Sequence, residues 1–397
     1  MVQKKIFKVI PRVQHYSWGG TTFIPNLVGQ HNEDAKPYAE LWMGTHRLCP
    51  SWIQVNEQRI SLLEWIDSYK EEMLGSAVAE QFHELPYLFK VLDVDAMLSI
   101  QVHPTKQQAI AGFREEEAKG IAADNPGRNY KDRNHKPEVM VALSDFWLLH
   151  GFKEKEQLLS TLEVYPSFFE LLPIFTQQSY NGLYTYIMNI SQDTVDKILK
   201  PLVETELGRA DQLSPSDPGW WLCKLFKKQP RLTNLDRGIF SIYFFNLVHL
   251  KKGEAIFQAA GVPHAYLQGQ NVELMANSDN VIRGGLTDKH IDPKELVKLT
   301  KCEGIRPQLL TGQMISDIEK AFICPAAEFS ISQVTVRAGS SYRAVSRSFE
   351  MWLVLEGEIS VEGITFSRGE VIGIAANTTY ELTSVDKSMM FKAFVPV

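Results

Sequence analysis

A mainly β architecture of two jelly-roll barrels, interrupted by an α-helical insert, is what this 397-residue chain predicts, and three observations predict it. Short segments that alternate apolar and polar residues between Gly-rich turns fill most of the chain outside residues 153–231. Inside that window apolar residues recur at helical spacing instead. Lastly, Gly253-Glu254-Ala255-Ile256-Phe257-Gln258-Ala259-Ala260 resembles Gly369-Glu370-Val371-Ile372-Gly373-Ile374-Ala375-Ala376. Carrying that register forward sets His264 opposite Tyr380, which reads as two copies of one β-module, the later copy lacking the histidine.

The elements follow in order. Residues 1–105 read mostly as short strands and turns, with Trp18-Gly19-Gly20 and Gly44-Thr45-His46 as punctuation and one helix near 62–69. Residues 85–102 are apolar, β-branched or aromatic at many positions and are broken by Asp93 and Asp95, which predicts two strands joined by a turn. After Pro104, residues 106–120 set Ile110, Phe113 and Ala118 against a charged face and predict a helix. In the insert, Leu158, Leu159 and Leu162, then Val195, Ile198, Leu199, Leu202 and Val203, keep helical spacing. Pro166, Pro173 and Pro201 end or kink helices there, and residues 214–219 form an exposed loop. Strand-like alternation returns at 239–250 and runs to the end, apart from a short helix around 293–301. The expected division is a catalytic β-domain of residues 1–152 plus 232–310, a helical insert domain of 153–231, and a C-terminal β-domain of 311–397 without metal ligands. A Gly-Glu pair opening a strand that leads to a Pro-His turn suggests a double-stranded barrel of the cupin kind.

Composition narrows the class. A 44% hydrophobic and 22% charged content is that of a globular protein, and a chain this long divides into two or three domains. With 41 basic against 47 acidic residues, the net charge of −6 argues against a nucleic-acid surface but leaves room for a local anion site. Cys49, Cys223, Cys302 and Cys324 are far apart and form no CxxC, so neither a disulfide framework nor a Cys-rich zinc site is indicated. The segment Met1-Val2-Gln3-Lys4-Lys5-Ile6-Phe7-Lys8 is too polar for a secretory signal, and no long apolar run suggests a membrane span. A cytoplasmic monomer, with no nucleic-acid or membrane partner, is the expectation.

The chemistry begins at Gln101 and His103, which alternate on a strand and so leave it on the same face. Lys136 and Glu138 repeat that spacing, and His264 sits in a turn-like Gly261-Val262-Pro263-His264. His, Glu and His from three segments can form an open metal site, with Gln101 available as a fourth ligand. A lone histidine on an apolar segment is more often a satisfied core residue, so neither His103 nor His264 stands by itself. Glu138 heads the apolar run Val139-Met140-Val141-Ala142-Leu143 and Arg283 follows Val281-Ile282, and charges entering buried strands need partners or a metal. Lys90, the polar run 129–138 and the run 277–289 add cations nearby in sequence. One metal with several cations and few carboxylates suits a small anionic substrate. A divalent cation polarises a carbonyl and stabilises an enediolate, while Lys and Arg hold a phosphate.

These residues resemble those of the type I phosphomannose isomerases. The likeness runs through nearly the whole chain, from Gln14-His15-Tyr16-Ser17-Trp18-Gly19 and Ala39-Glu40-Leu41-Trp42-Met43-Gly44-Thr45-His46 onward. It is strongest in 85–92, 98–104, 129–138 and 264–289, whereas the insert and C-terminal module match in layout more than in sequence. The resemblance implies one Zn2+ per chain, held by Gln101, His103, Glu138 and His264. It implies Arg283 as the catalytic arginine, Lys136, His135 and Asp279 in the site, and Ser99, Lys90 and Lys289 near the phosphate or sugar. It further implies interconversion of mannose 6-phosphate and fructose 6-phosphate through a cis-enediol; His135 and Asp279 as an acid/base pair for ring opening is a hypothesis added to it. The proton carrier stays open between Lys136, which needs a lowered pKa, and a metal-activated water. Two other classes compete. A cupin oxygenase also uses two His and a carboxylate, but Gln101 would fill a position that dioxygen needs. A non-catalytic sugar-phosphate binder would have lost ligands, as the second module has. The insert's role is open between lid and spacer.

Overall fold

The computed structural model describes residues 4–55, 58–228 and 231–397; Met1–Gln3 of the polar N-terminus and residues 229 and 230 of the expected insert lie outside it. Among the described residues no helix is long and apolar enough to cross a membrane.

Strand Tyr87–Val94 is buried along its whole length because its two faces meet different cores. Tyr87, Phe89 and Val91 pack between the two modules, against residues that include Val139, Leu274, Phe349, Met351, Leu353 and Phe391. The alternate side chains Leu88, Lys90 and Leu92 face the first barrel. Strand Glu350–Glu356 does the converse: Met351, Leu353 and Leu355 join the shared core, while Trp352 and Val354 enter the second barrel. Burial on both faces is why this part of the sequence reads as continuously apolar. The Tyr87 hydroxyl ties the modules further by donating to the carbonyls of Phe349 and Ala393, at 3.2 and 3.1 Å.

The first barrel is organised by the 13-residue strand His264–Ala276. It pairs antiparallel with Tyr87–Val94, Glu138–Ala142, Phe146–Phe152 and Ile100–Val102, and thereby belongs to both walls of the barrel. The second barrel is a nine-stranded sheet facing a four-stranded one. The nine-stranded sheet takes Ile6–Ile10, Trp52–Val55 and Gln58–Ser61 from the N-terminal segment, with Ile6–Ile10 lying between Val371–Ile374 and Trp52–Val55. The expected cut at residue 310 falls between Leu309–Leu310 of the first sheet and Gln313–Met314 of the second, but placing all of residues 1–152 in the first β-domain does not follow the sheets. Ile6 enters the second-barrel core and Phe7 and Val9 the shared core, and the strand covers what would be an open sheet edge.

The internal correspondence extends well beyond eight residues. Ala255–Gln258 and Val371–Ile374 are both strands, and each has a glutamate opposite its last residue: Glu138 opposite Gln258, and Glu350 opposite Ile374. His264 pairs with Gln101, and Tyr380 pairs with Ala344. Extending both registers by two residues sets Ser346 where His103 stands. Of the four expected ligand positions the second barrel keeps only the carboxylate. There Glu350 accepts hydrogen bonds from the Tyr380 hydroxyl at 2.6 Å and the Trp352 indole at 2.9 Å.

Helices fall largely where periodicity sets them. Lys106–Ala118 starts at a capping box in which Thr105 and Gln108 satisfy each other's backbone N–H groups. The insert contains Lys155–Val164, Leu172–Asn189, Gln192–Gly208 and Pro218–Lys228. Pro166 and Pro173 open a 3-10 and an α-helix respectively and Pro201 lies inside one; the kink is at Ser179, whose φ is 59°. Two expectations fail. Gly238–Phe244 is a helix preceding the strand Phe245–Leu250, since all seven residues are buried and no polar face reveals the period. The helix Leu62–Ser68 is followed by two more, Lys70–Leu74 and Ser76–Phe82.

Candidate active site

His103, Glu138 and His264 converge inside the first barrel, each offering a ligand atom within 4.8 Å of the others. Three features of the chain bring them there. Glu138 begins its strand and His264 begins the long central strand, while His103 follows Ile100–Val102 directly. All three are nearly solvent-free. The Nε2 atoms of His103 and His264 lie 3.5 and 3.4 Å from the two oxygens of Glu138. Both imidazoles use Nδ1 elsewhere, against the carbonyls of Asn280 at 2.9 Å and Val262 at 3.0 Å. An Nδ1–H bound to a carbonyl fixes the tautomer and leaves Nε2 as a lone-pair donor, the arrangement a metal-ligating histidine requires. His103 Nε2 is buried with no hydrogen-bond partner, a costly state that a bound cation would relieve. Two imidazoles and one carboxylate are a donor set zinc accepts.

The surrounding charges agree. Burial pulls His103 down to about 4, keeping the ring neutral. Burial would raise Glu138, but Lys136 and then His103 outweigh it and hold the carboxyl well below the usual range. Lys136 Nζ lies 3.0 Å from Glu138 Oε1. Gln101 is the cross-strand partner of His264 on one side and of Arg283 on the other, so the three side chains leave the sheet on one face.

Above this group opens a cleft of about 650 Å³. Of the residues expected from sequence, Lys90, Ser99, Gln101, Lys136, Asp279, Arg283 and Lys289 line it. Burial lowers the Arg283 guanidinium from its ordinary value, and burial together with Arg283 lowers Lys289, as two cations sharing one wall should. Lys90 departs from expectation in its company. Its Nζ lies 3.4 Å from both Glu40 and Glu273, and the carboxylates outweigh burial and keep it firmly protonated. It is held as part of a buried ion network and also lies 5.2 Å over the Trp42 ring.

His135 is not among the lining residues. Its Nε2 meets Glu328 Oε1 at 2.6 Å, outside the cleft, while Lys136 takes the inward position. The partner of Asp279 is instead His46, whose Nε2 is 3.2 Å from Asp279 Oδ1. Burial would raise Asp279, but that histidine, followed by Lys136 and Lys90, more than offsets it. Sequence reasoning missed Glu40, Trp42, His46 and Glu273. The alternation Glu40-Leu41-Trp42 on a strand was the available signal, the same one that identified Gln101 and His103.

Residues 6–155 match the family model described as phosphomannose isomerase type I, catalytic domain. The mannose-6-phosphate isomerases of Shigella flexneri and Escherichia coli K12 are each 40% identical to the chain over 336 residues, covering 82% of both partners. The chain belongs to the type I phosphomannose isomerases. A structure of the Salmonella typhimurium mannose 6-phosphate isomerase, bound to its substrate fructose 6-phosphate and to zinc, superimposes with a TM-score of 0.88. It is 33% identical in sequence and covers 99% of this chain and 100% of its own. Membership in this family accounts for the cupin-type barrels and for a His-Glu-His centre beneath a cation-walled cleft.

Proposed function

We propose that the chain interconverts mannose 6-phosphate and fructose 6-phosphate in this cleft, with one Zn2+ held by His103, Glu138 and His264 and completed by Gln101. The observation that carries the proposal is the buried triad with both Nε2 atoms freed by Nδ1–carbonyl bonds. When bound, the metal supplies Lewis acidity that polarises the sugar's carbonyl and stabilises negative charge developing on its oxygen. Lys136, beside Glu138 and lining the cleft, takes the C2 proton in its neutral amine form, after its own proton has left, and returns it at C1 of the cis-enediol. Asp279, held ionised beside His46, accepts the anomeric hydroxyl proton as the C1–O5 bond breaks and delivers it to the ring oxygen, the part that sequence reasoning gave jointly to His135. Arg283 lies on the face of Gln101, where it offsets charge on the enediol oxygens. Lys289 and Ser99 are the groups that grip the phosphate. Lys90 orders Glu40 and Glu273 at the cleft wall.

The test is fructose 6-phosphate production from mannose 6-phosphate, coupled to a reporter enzyme, with and without a chelator. Turnover abolished by chelation and restored by zinc supports the proposal; turnover indifferent to chelation, or none at all, rejects it.

A further inference from the structure

The loop of residues 129–138, which carries Lys136 and Glu138, makes a contact to the other module that no part of this mechanism uses. Residues 129–138 are braced from the first barrel at several points: Asn134 donates to the Asn277 carbonyl at 2.8 Å, and Ser278 donates to Asp132 at 3.0 Å. His135 reaches the other module instead. Its ring nitrogen meets Glu328 Oε1 at 2.6 Å across 193 residues of sequence. Glu328 is 8% exposed, and it precedes Phe329, a member of the core shared by the modules. Burial would raise the Glu328 carboxyl, but His135, with a backbone hydrogen bond and Lys106 behind it, holds it down, so the contact is made to an ionised acceptor, as a strut needs. The residue after His135 is Lys136, whose amine must stand within reach of both Glu138 and a substrate.

We propose that the C-terminal module holds the catalytic loop in place through the His135–Glu328 contact, which makes both side chains positioning residues for Lys136. The second barrel has lost three of the four ligand positions, and this contact gives it a part in the reaction. Lys136 precedes Pro137, which restricts its backbone to the extended region, and stands two residues before the ligand Glu138, so fixing His135 outward fixes Lys136 inward. A displacement of about 1 Å at a reacting group costs up to about a hundredfold in rate. The inference rests on Lys136 acting as the proton carrier, and wild-type enzyme without any isomerase turnover would remove that premise rather than the strut.

The experiment compares zinc-loaded wild type with Glu328→Gln, His135→Gln, the double variant, and the swapped pair His135→Glu with Glu328→His. Each single variant should lower kcat about tenfold with KM within about twofold, unchanged zinc content and an unchanged shape of the kcat–pH profile. The double variant should be no slower than either single one, and the swapped pair should recover most of the loss. Wild-type kcat in Glu328→Gln would overturn the proposal. So would loss of one limb of the pH profile in His135→Gln with no recovery in the swapped pair, since that pattern assigns proton transfer to His135 itself. If a single variant fails to fold, the swapped pair decides: activity restored supports the strut, and a folded but slow enzyme rejects it.

Discussion

Asn280→Leu removes a side chain that never touches the proposed metal, yet it should weaken both the fold and the metal centre. Asn280 is fully buried. Its amide accepts from the backbone N–H of Lys131 at 2.7 Å and donates to the carbonyls of Asp132 at 2.9 Å and Asn134 at 2.8 Å. Its own carbonyl is the acceptor for His103 Nδ1. Leucine keeps the branched skeleton with bulkier ends, so the change deletes hydrogen bonds without opening a cavity. At about 1 kcal/mol for each of the short bonds, the loss is about 3 kcal/mol. With the loop slackened, the carbonyl that orients His103 moves with it, and disturbing such an outer partner lowers metal affinity about 10- to 100-fold. Urea unfolding followed by tryptophan fluorescence measures the first effect, and competition with a chromophoric chelator measures the second. A variant that unfolds at the wild-type urea concentration and retains zinc equally well would refute the reasoning.

Other outcomes follow from single groups. Burial lowers His150 to about 4, against 6.5 for the free side chain, so the unfolded chain takes up a proton first as pH falls. Its stabilising effect is present at pH 7 and is lost between those two values, by about 2 kcal/mol at pH 5. Replacing it with Asn should flatten the acid limb of the zinc-free protein's stability curve by that amount, and an unaltered limb would show that other groups set it. In the second barrel, Tyr380→Phe takes one donor from the buried Glu350 carboxylate and should cost about 1–3 kcal/mol in urea unfolding. Zinc content should stay at the wild-type level in that variant, and a fall would mean that the second barrel takes part in metal binding.

Much of this was legible in the sequence for local reasons. Alternation alone sets Gln101 and His103 on one face, and the Gly-Glu repeat fixes the register that brings His264 and Tyr380 to equivalent places. Contacts between distant segments were not legible. His135 precedes Lys136 in a polar run, and although the spacing to Glu138 puts Lys136 on the ligand's face, nothing local shows that His135 meets Glu328 in the other module. His46 reads as turn punctuation until Asp279 is brought against it. Lys90 reads as a free cation for a phosphate until Glu40 and Glu273 flank it from the two strands paired with its own. The strand Ile6–Ile10 is unremarkable by itself, and its place in the second barrel depends on an edge more than three hundred residues away.

The most direct measurement removes zinc from the purified protein, adds it back in steps and reads bound metal and mannose 6-phosphate turnover on the same samples. Turnover should rise in proportion to zinc and saturate at one ion per chain, and Glu138→Gln should show neither binding nor turnover at matched zinc. Full turnover in the zinc-free protein, or stoichiometric zinc in Glu138→Gln, would contradict this.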